Sequence, residues 1–110
     1  MKLSFVQLGG EKRPVCFSLS AIEDMEDEFG SLNKMREQLS AGKVKAINKV
    51  LEIMLNAGRI YAEAIGEECP PPLKCKPSDL IGTDDINIVS EIFAAIGDGT
   101  ERKVEAKSKN

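Results

Sequence analysis

Histidine and tryptophan are absent from this 110-residue sequence, and it has a single tyrosine. Without histidine, the chain lacks the commonest general base and the commonest metal ligand of proteins. Aromatic residues make up only 5% of the sequence, so aliphatic side chains must fill the core. We therefore predict a protein that is not an enzyme and that binds neither a metal ion nor an organic cofactor.

Cysteine is also scarce: Cys16, Cys69 and Cys75 are the only three. An odd number of cysteines favours reduced thiols in a cytoplasmic protein over a disulfide framework. A structural zinc site normally needs four cysteine or histidine ligands, which this chain cannot supply alone. A cysteine-dependent enzyme, using one of these three thiols as its nucleophile, is the alternative to a non-catalytic role.

Long apolar runs are missing as well, since no segment approaches the roughly 20 residues of a membrane helix. The formal net charge is −3, so we expect neither a membrane nor a nucleic acid as partner. The charge is unevenly distributed. Five acids without a base occupy one short stretch: Glu23, Asp24, Glu26, Asp27 and Glu28.

The first pattern that is present is strand periodicity, which predicts an N-terminal β-hairpin over residues 1–19. Val15, Phe17 and Leu19 alternate with smaller residues, as expected for a half-buried strand. The predicted turn consists of Gly9, Gly10, Glu11, Lys12 and Arg13.

From Ser20 onward, the apolar residues recur at helical spacing. Ser20 and Glu23 form a capping-box pattern that predicts a helix ending at Gly30, and Ser31 is a second N-cap candidate. Residues 43–65 are apolar around most of a helical circumference, which predicts a central helix buried by several neighbours. Gly58 within it would allow close approach of another backbone.

The rest of the chain is divided by proline. Residues 66–77 are predicted to be a loop, followed by a one-turn helix and a last helix over residues 84–96, capped by Thr83. Residues 100–110 are polar and predicted to form a flexible tail. The predicted fold is mostly α: one domain, residues 1–99, of four to five helices with an N-terminal hairpin.

Two helices are more apolar than a small domain needs, which indicates a surface for a partner protein. The candidate residues are Ile53 and Ile60 on the central helix, and Ile88 and Ile92 on the last one. The alternative is that these side chains belong to the core. The acidic run would add steering and solubility; its candidates are Glu23, Asp24 and Asp27.

The layout resembles the tail assembly chaperones of long-tailed bacteriophages and prophages. The resemblance covers roughly residues 1–97. It rests on the junction Pro14-Val15-Cys16-Phe17-Ser18-Leu19-Ser20-Ala21-Ile22-Glu23, the segment Glu28-Phe29-Gly30-Ser31-Leu32, a long apolar helix from Val44 to Ile65, a proline-containing linker and a final helix from Asp84 to Ile96. It is a match of pattern, since the family has no invariant signature.

The resemblance implies a protein that acts without catalysis in the bacterial cytoplasm. Such chaperones bind the tape measure protein, keep this aggregation-prone chain soluble, and help recruit tail tube subunits around it. A homo-oligomer is compatible with this role. The alternative within the same broad class is another small phage module, such as a head–tail connector or an adaptor subunit.

Overall fold

The computed structural model describes residues 3–82. Their elements are β1 (Ser4–Leu8), β2 (Glu11–Val15), α1 (Leu19–Phe29), α2 (Leu32–Ser40), α3 (Val44–Ala64) and a 3-10 turn (Pro77–Leu80). The predicted mostly helical fold with an N-terminal hairpin is confirmed. The prediction of four to five helices is overstated, because the described residues contain three α-helices and the 3-10 turn.

Several sequence predictions fall on residues that the structure does not describe. The predicted last helix over residues 84–96, with Ile88 and Ile92, lies outside the described residues, as does its cap, Thr83. The polar tail, residues 100–110, lies outside them too. Among the helices that are described, none is both long and apolar enough to cross a membrane.

The hairpin turns through two glycines. Gly9 and Gly10 have φ angles of 64° and 78°, which L-residues with side chains rarely adopt. Two positive φ angles in a two-residue turn match the right-handed twist of the flanking strands. Leu8 consequently pairs directly with Glu11, and β1 and β2 run antiparallel from that pair to Ser4 opposite Val15.

The predicted turn and the predicted end of the hairpin were both wrong. The charged residues 11–13 belong to β2 and not to the turn, because a two-residue turn lets strand pairing resume at Glu11. The hairpin also ends at Val15 and does not extend to residue 19. Phe17 and Leu19 therefore lie beyond the strand, and Leu19 is 81% exposed.

The start of α1 also differs from the prediction. Ser18, not Ser20, is the N-cap, and its hydroxyl accepts a hydrogen bond of 3.1 Å from the Ala21 backbone N–H. A serine hydroxyl at the N-cap satisfies one of the unpaired N–H groups at a helix start, and Ser18 supplies it two residues before the predicted cap. Gly30, with a φ angle of 91°, ends α1, and Ser31 caps α2, as predicted.

The 21-residue helix α3 lies at the centre of the domain, as predicted. It contacts β2, α1, α2 and the 3-10 turn. Burial by four neighbours explains why so much of its circumference is apolar. The largest side chains buried in the core come from every element but the 3-10 turn: Val6, Val15, Met25, Met35, Val50, Leu51 and Met54.

Gly58 is the point of closest approach between α3 and the hairpin. A Cβ atom there would overlap the carbonyl group of Pro14 and lie 2.6 Å from the Cα atom of Val15. Real Cβ atoms do not come this close to backbone atoms, so β2 can lie against α3 only because position 58 has no side chain. The predicted close approach at Gly58 is confirmed.

Candidate functional site

A concave surface with a volume of about 490 Å³ lies between α3 and the proline-rich loop, residues 69–76. This size is typical of ligand-binding pockets. We call it the loop groove. Its lining residues are Arg13, Pro14, Glu52, Leu55, Asn56, Arg59, Cys69, Pro70, Pro71, Pro72, Leu73, Lys74, Cys75, Lys76 and Pro77.

Arg13 of β2 connects the hairpin to the proline-rich loop at the loop groove. Its Nε donates to the Leu8 carbonyl oxygen at 3.1 Å, and its Nη1 donates to the Pro71 carbonyl oxygen at 2.9 Å. Its Nη2 forms a 3.1 Å ion pair with Glu11. Arg13 is only 9% exposed; its bond to Leu8 is buried, and those to Pro71 and Glu11 are partly buried. A buried guanidinium thereby holds the proline-rich loop against the hairpin.

The far end of the loop is held by α3. The Asn48 side-chain oxygen accepts a 3.0 Å hydrogen bond from the Ser78 backbone N–H, and Pro77 is buried. Between these two attachments, Pro70, Pro71 and Pro72 restrict the backbone because each ring fixes φ. The loop groove is therefore a preformed surface, since little chain entropy remains to be lost on binding.

Sequence reasoning did not identify the loop groove. It placed Arg13 in a turn and the prolines in a connecting loop. The available signal was that Arg13 is followed by Pro14 and Val15 in a strand-like segment. If such a segment is buried, its guanidinium needs a hydrogen-bonding partner. Leu55 was recognised only as part of an apolar helix.

A second concave surface is lined by residues of α1 and α3. We call it the acidic cleft, and its volume is about 390 Å³. Lys49 crosses it, with its Nζ 3.2 Å from Glu28 and 3.8 Å from Glu52. The lining residues are Asp24, Asp27, Glu28, Lys49, Glu52, Ile53 and Asn56.

The structure brings together three of the predicted partner-binding residues. Asp24 and Asp27 are exposed on α1 and line the acidic cleft with Ile53. Ile53 belongs to the hydrophobic core and is 8% exposed, whereas Ile60 is 53% exposed. Glu23 is exposed, and like Ile60 it lines neither the cleft nor the loop groove. Partner binding by these residues stays a prediction.

The three thiols lie in different environments. Cys16 is buried in the core, and this burial raises the pKa of its thiol despite hydrogen bonding with Ser18. A raised pKa lowers the thiolate fraction, which is the nucleophilic form. Cys69 is half-buried and Cys75 is exposed, and both line the loop groove.

The part of the chain that the structure describes contains no cluster of three or more cysteine, aspartate or glutamate side chains arranged to hold a metal ion. The loop groove offers apolar surface from Leu55, Leu73 and the prolines, together with a basic rim. It contains no histidine that could activate a nucleophile.

Comparisons with protein-family models, with curated proteins and with solved structures found no match to the chain.

Proposed function

We propose that the protein binds a segment of another protein in the loop groove and performs no catalysis. One observation carries this proposal: an apolar concave surface is held open by a buried arginine and by three consecutive prolines. Leu55 forms part of one wall, and Leu73 with the prolines forms the other. Apolar side chains inserted between the two walls would gain roughly 25 cal/mol for each Å² removed from water.

The sequence resemblance supplies the partner in this proposal. Tail assembly chaperones bind the tape measure protein, and this chain would hold segments of that protein in the loop groove until tail tube subunits cover them. A client-holding protein needs apolar surface for binding and charge for solubility, but no reactive group. In this protein, the groove beside α3 would supply the apolar surface, and the exposed charges on α1 would supply the solubility.

Co-expression with a tape measure protein encoded beside this chain tests the proposal. The wild-type chain should keep that protein in the soluble fraction. Leu55→Arg should release it into the pellet, because a charged side chain would occupy one wall of the groove. Val44→Arg is the matched control: Val44 lies on the same helix, is 67% exposed and does not line the groove.

Leu55 also packs partly against the core, so a second variant separates binding from folding. Leu73→Asp changes the opposite wall, in the loop, and leaves α3 intact. Circular dichroism and thermal unfolding should show that both variants are folded. Folded variants that still solubilise the tape measure protein would exclude the loop groove as the binding site. Failure of the wild-type chain to solubilise it would contradict the chaperone role.

The alternative of a cysteine-dependent enzyme has its own test, because Cys69 and Cys75 line the groove. An activated nucleophile should react with iodoacetamide at neutral pH much faster than a free cysteine does. We expect Cys75 to react at an ordinary rate and buried Cys16 to react far more slowly. Rapid stoichiometric labelling of Cys69 or Cys75 would favour the enzyme.

A further inference from the structure

The rim of the loop groove is basic, although the chain as a whole carries a net charge of −3. Four of the lining residues are cationic and one is acidic: Arg13, Arg59, Lys74 and Lys76 against Glu52. Glu67 and Glu68, which precede the three prolines, are exposed and do not line the groove. The local charge of this surface is therefore opposite to that of the whole chain.

The four cations of the groove differ in whether they already form a salt bridge with an acidic side chain. Arg13 pairs with Glu11, and Arg59 pairs with Glu63 at 3.2 Å. Lys74 and Lys76 are exposed, and neither forms a salt bridge with any residue in the range 3–82. Among residues 3–82, the two cations of the groove that form no salt bridge are therefore on the proline-rich loop.

Glu52 offsets little of this charge. Its carboxylate accepts a 2.9 Å hydrogen bond from the Asn48 side chain and lies 3.8 Å from the Lys49 ammonium group. Both partners are on α3, and Lys49 belongs to the acidic cleft and not to the groove. One other carboxylate lies beside the rim: that of Asp79, which accepts a 3.1 Å hydrogen bond from the Lys76 backbone N–H. Since neither lysine of the rim forms a salt bridge within residues 3–82, an incoming negative charge near them meets two cations and the single carboxylate of Asp79.

We infer that the loop groove takes an acidic and partly apolar segment of the partner protein, with carboxylates at Lys74 and Lys76 and apolar side chains between Leu55 and Leu73. This inference rests on the proposed function and specifies the chemistry of the bound segment. A small anion alone would gain little from two exposed lysines, because water and salt screen such contacts. Only a segment with both features uses the rim and the walls together.

Selection from a library of random displayed peptides tests this chemistry without requiring the natural partner. The wild-type protein is the bait, and the folded Leu55→Arg variant removes peptides that bind elsewhere. The retained peptides should be enriched in Asp and Glu beside Leu, Ile, Val or Phe. Synthetic fluorescein-labelled copies of them should bind Lys74→Glu/Lys76→Glu about tenfold more weakly than wild type near physiological ionic strength.

The control variant is Lys43→Glu/Lys45→Glu. It makes the same change in net charge with the same spacing, on two exposed lysines outside the groove, and should change the dissociation constant by less than about twofold. Near 1 M salt, where the screening length is about 3 Å, the wild type and the Lys74/Lys76 variant should converge.

Three results would overturn the inference: retained peptides that are neutral or basic, equal effects of the two lysine pairs, or no peptide that distinguishes wild type from Leu55→Arg. These results are separable from failure of the proposed function. Solubilisation of the tape measure protein that is sensitive to Leu55→Arg, together with neutral or basic peptides, would remove only the inference about charge. Solubilisation that is insensitive to Leu55→Arg would remove the proposed site.

Discussion

The loop groove and the acidic cleft share Glu52 and Asn56 on α3 but are held together by different forces. The loop groove depends on hydrogen bonds from a buried guanidinium to two backbone carbonyls. The acidic cleft depends on ion pairs of Lys49, whose side chain and both partners are about 40% exposed. Buried hydrogen bonds are costly to break, whereas exposed ion pairs contribute little.

This difference indicates which surface is preformed. A partner that enters the loop groove meets a loop whose position is already fixed by its proline rings and by the hydrogen bonds of Arg13. A partner entering the acidic cleft meets side chains that water can rearrange at little cost. For this reason the groove, and not the cleft, is the surface that we propose for partner binding. If the two surfaces are held as described, substitutions that disturb the groove should cost more stability than those that disturb the cleft.

The largest effect is expected for Gly58→Ala. The added methyl group would meet the backbone of Pro14 and Val15, so the hairpin that carries Arg13 must move away from α3. We expect the free energy of unfolding to fall by about 3 kcal/mol in urea denaturation. In an exposed helix the same change would instead stabilise by up to about 1 kcal/mol. An unchanged or increased stability would mean that the hairpin does not pack on α3 as described.

Arg13→Met should have the next largest effect. Methionine keeps much of the volume but leaves the Leu8 and Pro71 carbonyl oxygens without their donor. We expect a loss of about 2 kcal/mol and faster tryptic cleavage after Lys74, because the loop is released from the hairpin. Lys12→Met, at the neighbouring exposed position of β2, should change neither quantity appreciably. Equal cleavage rates in the two variants would show that Arg13 does not hold the loop.

Asn48→Ala removes the other attachment of the loop. The Ser78 N–H loses its acceptor, and Glu52 loses the donor on its carboxylate. Since this site is only partly buried, water can replace some of the lost bonding, and we expect a loss of about 1 kcal/mol. Asn33→Ala on the exposed face of α2 is the control. Slower amide exchange at Ser78 in Asn48→Ala than in wild type would contradict this role.

Lys49→Met should have the smallest effect, although it removes both ion pairs that cross the acidic cleft. Screening by water and salt limits the expected loss to less than about 0.5 kcal/mol, and the loss should shrink as salt increases. Urea denaturation at low and high ionic strength measures it. A loss as large as that of Arg13→Met would remove the distinction between the two surfaces.

The sequence predicted the elements whose causes are local. Gly9 and Gly10 can adopt the positive φ angles of a tight turn, and Gly30 can end a helix, whatever the rest of the chain does. The apolar pattern of residues 43–65 also identified a central helix, because only burial on several sides accommodates it. The start of α1 was missed by two residues because two serines, Ser18 and Ser20, both offer a capping hydroxyl.

Only the tertiary structure decided where the loop groove lies. Arg13 and Pro71 are 58 residues apart in sequence, and no local pattern relates a strand arginine to a loop carbonyl. The packing of Pro14 on Gly58 likewise joins two elements that periodicity treats separately. Local sequence specifies backbone conformation through sterics and capping, but a concave surface forms where distant segments meet, and their meeting depends on how the whole core packs.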